Sequence, residues 1–102
     1  MSRAMTDNPH PEIIGPASSY YVSQRLRLHY VDWGNPAAQT MLLLHGLQDC
    51  ARSWDFFANA MRSDYHVVAL DHRGHGDSDR AASGRYSLTD YVSDVEAVVE
   101  SA

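Results

Sequence analysis

The 102-residue chain carries eight Arg, no Lys and 13 acidic residues, a formal net charge of −5. That balance excludes the basic stripe of a phosphate-tracking nucleic-acid binder. With 44% hydrophobic and 21% charged residues, compositional disorder is excluded too.

One domain is the expectation at this length. Cys50 is the single cysteine, so neither a disulfide framework nor a cysteine-rich zinc site can be built. A lone thiol fits a reducing compartment. No apolar run is longer than the four residues 41–44, far short of the ~20 residues of a membrane-spanning helix. The first 17 residues hold no apolar stretch of the ~7–15 residues that a signal peptide needs. These features predict a cytoplasmic protein with no nucleic-acid or membrane partner and no cofactor.

Residues 1–17 contain three of the four prolines and are predicted to form a flexible tail, with the folded part spanning 18–102. Residues 18–23 are rich in β-formers and predict a first strand. In residues 26–33, Leu26, Leu28 and Tyr30 alternate with Arg27, His29 and Val31, the pattern of a half-buried strand. The two runs are close enough for a hairpin. Gly34, Asn35 and Pro36 make a turn.

The pattern then changes. Residues 40–45 are apolar up to His45, and residues 66–71 repeat that form up to Asp71, as parallel strands buried on both faces do. Between them Ser53 is placed to cap a helix, with Asp55 in its first turn. Trp54, Phe57, Ala58 and Met61 share one helical stripe and are assigned to the core. Strand, helix and strand make a βαβ unit.

A glycine-rich loop, residues 72–79, follows Asp71. Its glycines serve a tight turn, and Arg73 reads as an ion-pair or carbonyl anchor. Ser87 and Asp90 form a capping box with Asp in place of Glu. The helix they open carries an apolar stripe, of which Leu88, Tyr91, Val95 and Val98 are assigned to the core. Two doubly buried strands need helices on both faces and neighbours on both sides. The predicted elements therefore read as the opening portion of a larger α/β domain.

In order and spacing these pieces resemble the N-terminal part of the α/β-hydrolase superfamily over roughly residues 21–100. The matching features are a strand ending in His45-Gly46, Trp54 at a helix start, the run from Asp71 to Ser78, and residues 86–94. The resemblance implies an α/β fold: a β-hairpin joined to the first parallel strands, helices on both faces, truncated before the nucleophile elbow. It also implies hydrolysis of a small-molecule ester-like substrate through a Ser-His-Asp/Glu triad. No G-x-S-x-G occurs in the 102 residues. The family's chain order puts nucleophile, acid and histidine further downstream, so this chain alone is expected to be inactive.

Ligands of open parallel sheets bind outside the carboxyl ends of the strands. Gly46 is predicted to let the chain turn sharply there and to leave the next backbone N–H unshielded. The resemblance makes the Leu47 N–H one oxyanion-hole donor, places His45 and Gly46 in the oxyanion loop, and puts Gln48 beside the substrate. His45 reads more readily as a histidine holding that loop through backbone hydrogen bonds than as one touching substrate. Gln48 stands where epoxide-hydrolase-like and dehalogenase-like members, which use an Asp nucleophile, carry proline. A serine esterase-like member is the resulting expectation.

Three alternatives stay open. One is an epoxide-hydrolase-like member with an Asp nucleophile, and a second is a non-catalytic α/β-hydrolase-fold fragment or binder. The third is a metal-dependent hydrolase using His72 and His75, with Asp71 and Asp77 close in sequence. Cys50 has no identifiable base and reads as a packed thiol rather than a nucleophile. The apolar edge of the strand ending at His45 predicts self-association.

Overall fold

A computed structural model describes residues 14–46, 48–82 and 84–102. Most of the predicted tail, residues 1–13, and the candidate donor Leu47 lie outside the described residues.

Four strands build one sheet: β1 (Ala17–Ser23), β2 (Leu26–Asp32), β3 (Thr40–Leu44) and β4 (His66–Leu70). Their spatial order is β1-β2-β4-β3. β1 and β2 form the predicted hairpin, antiparallel from Ala17 opposite Asp32 to Ser23 opposite Leu26. Gln24 and Arg25 turn it with φ of 51° and 69°. Two left-handed residues in a two-residue turn match the twist of the flanking strands. β2 then meets β4 antiparallel, and β3 lies parallel to β4 with Leu42 opposite Val68.

A 3-10 turn (Ala51–Trp54) and α1 (Asp55–Met61) connect β3 to β4, and α2 (Leu88–Ser101) follows β4. Alternation along β4 divides the core. Val67 and Ala69 pack with Val31, Leu43 and Ala58 of α1, while Val68 and Leu70 pack with Leu28, Tyr30 and Val98 of α2. The helices therefore cover opposite faces, and each fully buried β4 side chain larger than Ala contributes roughly 1.5–3 kcal/mol by leaving water. No helix among the described residues is long and apolar enough to cross a membrane.

Several local expectations are corrected. β2 is not half-buried: His29 and Val31 are as buried as Leu28 and Tyr30, because β4 and both core clusters enclose this strand. β3 is not buried on both faces. Only Leu43 is buried, and Thr40 and Leu44 are exposed, because β3 is the outer strand of the described sheet. Ser53 does not cap α1. Cys50 precedes the 3-10 turn, and the Ser53 hydroxyl reaches back to accept from its N–H at 3.4 Å. Phe57 and Leu88 are exposed rather than core. Ala58 makes the buried contact of α1, and α2 meets the sheet through Asp94 and Val98. The capping box of α2 is present as predicted: Asp90 N–H donates to the Ser87 hydroxyl at 3.2 Å, and the Asp90 carboxylate accepts from Ser87 N–H at 3.0 Å.

Candidate active site

The parallel pairing brings the carboxyl ends of β3 and β4 side by side, and the loops leaving them are joined by one imidazole. His45 Nδ1 lies 2.6 Å from the Gly46 carbonyl, to which it donates. Its Nε2 accepts the backbone N–H of His72 at 3.0 Å. The buried His45 ring thus holds the β3 loop against the β4 loop through main-chain groups on both sides.

Gly46 is not the residue that turns this loop. Its φ is not positive, and a Cβ added there would meet only Asp49 Oδ2, at 4.0 Å. The left-handed residue is Gln48, with φ of 63°. Gly46 instead leaves open space at the end of β3.

The glycine-rich loop is stitched to β2. The Ser78 hydroxyl accepts His29 N–H at 2.8 Å and donates to the Asp71 carbonyl at 2.7 Å. Asp79 exchanges two hydrogen bonds with the backbone of Arg27, each 2.9 Å. Buried Asp71 accepts Ala51 N–H at 2.6 Å, Asp77 N–H at 3.0 Å and the His29 Nδ1 proton at 2.6 Å. Burial opposes its charge, yet these donors together outweigh that cost and hold the carboxyl below the ordinary carboxylate range. Gly74 and Gly76 have φ of 77° and 52°, and added side chains would strike Tyr86 and Asp71 respectively. The glycines therefore serve the tight loop, as predicted.

Arg73 is fully buried and fully engaged. Its guanidinium donates to both Asp94 oxygens at 2.7 Å, to the Arg85 carbonyl at 2.9 Å and to Gln24 Oε1 at 2.8 Å. Both anchor types expected of it are present. Asp94 also accepts the Ser23 hydroxyl at 2.7 Å, and its carbonyl accepts the Tyr21 hydroxyl at 3.0 Å. Burial, followed by the Asp94 charge, pushes the Tyr21 hydroxyl pKa up.

Sequence reading missed two of these polar residues. His29 alternated into the face assigned to solvent. Asp94 carried a signal that was available: it lies three residues after Tyr91 and four before Val98, on the apolar stripe itself. A charged residue there demands a buried partner.

Three histidines converge at the mouth of the two loops. The His45 ring centroid lies 4.4 Å from that of His72 and 5.1 Å from that of His75. Tyr91 of α2 meets the His72 ring edge-on at 5.3 Å. Burial, followed by the His45 imidazole, pushes the His72 pKa below the ordinary histidine value, and His72 Nδ1 is buried without a hydrogen-bond partner. These groups line a pocket of about 600 Å³ that also takes in Leu44, Leu88, Val92 and Val95. The size and the apolar wall with few polar groups are those of a small-molecule site.

The residues considered for a metal divide into two sets. His29, Asp71 and Asp77 bring ligand-type atoms within 4.8 Å of one another, whereas His72 and His75 group with His45. The Asp71 oxygens already accept three hydrogen bonds, and His75 Nδ1 donates to the Arg73 carbonyl at 2.9 Å. The first set, together with His45 and His75, reads as hydrogen-bonded loop anchors. The Cys50 thiol is half-buried, with the Ser53 hydroxyl 4.0 Å away.

A family model described as serine aminopeptidase, S33, matches residues 35–102. Epoxide hydrolase 4 of Mus musculus is 40% identical over 77 residues, which cover 74% of this chain and 21% of the mouse protein. The 3-hydroxybutyrate-oligomer hydrolase of Cupriavidus necator is 37% identical over 75 residues, covering 72% and 26%. Among solved structures, epoxide hydrolase A from Mycobacterium thermoresistibile gives a TM-score of 0.77 at 27% identity, covering 84% of this chain and 28% of that one. The chain spans 21% and 26% of the lengths of these two curated relatives. The sheet order, the joined strand-end loops and these matches agree: the chain belongs to the serine aminopeptidase S33 family of α/β-hydrolases.

Proposed function

We propose that this chain supplies the oxyanion turn and one wall of the substrate pocket in an α/β-hydrolase that cleaves an ester-type bond through a serine nucleophile. The carrying observation is Gln48, whose φ of 63° lies outside anything proline can adopt. Residue 48 therefore holds a backbone conformation closed to the proline that accompanies an Asp nucleophile. A tetrahedral oxyanion needs backbone donors about 2.7–3.1 Å away, and Leu47 N–H, between Gly46 and Gln48, is the proposed donor. The apolar pocket beside His45 suits the acyl or alcohol part of a small ester. With no G-x-S-x-G, the 102-residue chain alone is expected to show no ester turnover. A reducing, cytoplasmic setting fits its single cysteine.

The second reading is an epoxide hydrolase with an Asp nucleophile, favoured by the 40% identity to the mouse relative. Segment grafts separate the two. Residues 20–100 would replace the matched segment of the Cupriavidus necator hydrolase and, separately, that of the Mycobacterium thermoresistibile epoxide hydrolase. The serine reading expects retained ester turnover and fluorophosphonate labelling in the first graft and lost epoxide turnover in the second. Epoxide turnover that survives while the ester graft is dead overturns it.

A further inference from the structure

We infer that His45 is a positioning residue that acts as an acid-released latch, closing the β3 loop on the β4 loop only while its ring is neutral. The geometry selects one ring state. Nδ1 sits 2.6 Å from a carbonyl oxygen, which only accepts, so Nδ1 carries a proton. Nε2 sits 3.0 Å from the His72 backbone nitrogen, which only donates, so Nε2 must be bare. The opposite tautomer sets acceptor against acceptor and donor against donor. The doubly protonated ring keeps the Gly46 contact and puts an N–H against the His72 N–H. Protonation of His45 and the contact that joins the loops therefore exclude each other.

The surroundings sharpen this response. His72 and His75 face the ring from the β4 loop, so acid places further positive charge beside it. Asp49 lies on the same turn, Tyr91 and Glu96 of α2 line the shared pocket, and Asp94 lies behind His72. The released state frees the turn holding Gly46 and Gln48. Its effect on turnover rests on the oxyanion reading above, whereas the latch itself does not.

Residue-resolved hydrogen exchange on the chain between pH 8 and pH 5 tests the latch without any activity. The protection factor of the His72 amide, already corrected for intrinsic exchange, is expected to fall by about tenfold with acid, the order set by one lost hydrogen bond. The neighbouring Asp71 amide, bonded to the His29 carbonyl at 2.9 Å, is the internal control for any general loss of stability and is expected to fall much less. In His45→Gln, whose side chain has no proton to gain in this range, the His72 response is expected to shrink to that of Asp71. A His72 protection factor flat with pH in the unmodified chain overturns the proposal. So does a fall shared equally by Asp71, which reports general unfolding. A dead ester graft beside a surviving epoxide graft, with an intact His72 response, would overturn the serine reading and leave the latch standing.

Discussion

The Asp71 carboxylate occupies the space that a side chain on Gly76 would need, and Gly76 has a left-handed φ of 52°. The loop closes around its own carboxylate only because residue 76 lacks a Cβ. Gly76→Ala combines the left-handed penalty with a clash against a buried, hydrogen-bonded group. The expected loss is roughly 2–4 kcal/mol, measured by urea unfolding. A loss below about 0.5 kcal/mol, the range of ordinary surface changes, would contradict this packing.

Gly46 offers the contrasting case. Its added Cβ meets nothing closer than 4.0 Å, and its φ is ordinary. Gly46→Ala is expected to change stability by no more than about 0.5 kcal/mol. Gln48→Gly, which relieves a left-handed non-glycine residue, is expected to stabilise by about 0.5–1 kcal/mol. Denaturant midpoints of the two variants check both.

Arg73 and Asp94 form a fully buried bidentate pair. Asp94→Ala leaves the guanidinium only the more distant Asp90 carboxylate, at 3.9 Å, and is expected to cost about 3–5 kcal/mol. Arg73→Met combined with Asp94→Leu removes both charges and is expected to cost far less than the two single changes summed. A double-mutant cycle in urea reads the difference. Additive losses would mean that the pair is not a unit.

Acid is expected to destabilise the fold in two stages. In the unfolded chain His72 takes its proton near pH ~6.5 and Asp71 near pH ~3.9. Folding holds both groups below those values. The unfolded chain therefore binds more protons in each window, so stability rises with pH there and is lost as pH falls. The first loss begins below pH ~6.5 and ends where folded His72 protonates; the second begins below pH ~3.9. Thermal midpoints from pH 8 to pH 3 check the order, and His72→Asn is expected to shrink the upper stage. A midpoint that rises between pH 7 and pH 5 would contradict it.

The outer edge of β3 carries no neighbouring strand among the described residues, and Leu44 on it is exposed. Such an edge is a template for pairing with another chain. Concentration-dependent association of the chain is the expected outcome in sedimentation at about tens of micromolar, reduced by Leu44→Lys. A monodisperse unmodified chain under those conditions would contradict it.

Element types were legible because periodicity reports them directly: β4 is apolar from Val67 to Leu70 and buried throughout, and the Ser87–Asp90 box opens α2 as read. Burial was less legible. Leu44 and Leu88 are as apolar as Leu43 and Leu70, and their exposure depends on what packs beside them, which no window of sequence contains. At the site, glycine was an incomplete guide. Gly76 is demanded by a carboxylate five residues upstream, while the left-handed turn residue proved to be Gln48 rather than Gly46. His29 was hidden for a similar reason, since its partner Asp71 lies 42 residues away.

Arg73 is synthesised 21 residues before the carboxylate that neutralises it. Until α2 leaves the ribosome with Asp94 and with Asp90, whose carboxylate lies 3.9 Å from the guanidinium, Arg73 has only Gln24 and the Arg85 carbonyl to meet, and neither carries charge. The hairpin and the loop emerge first, yet the contact from Ser23 at the hairpin end also waits for Asp94, 71 residues later. A nascent chain stalled anywhere before Asp90 thus holds strands able to pair around an open cationic hole. Emergence of α2 converts that hole into a closed core, so this helix acts as the switch for consolidating the first strand pair.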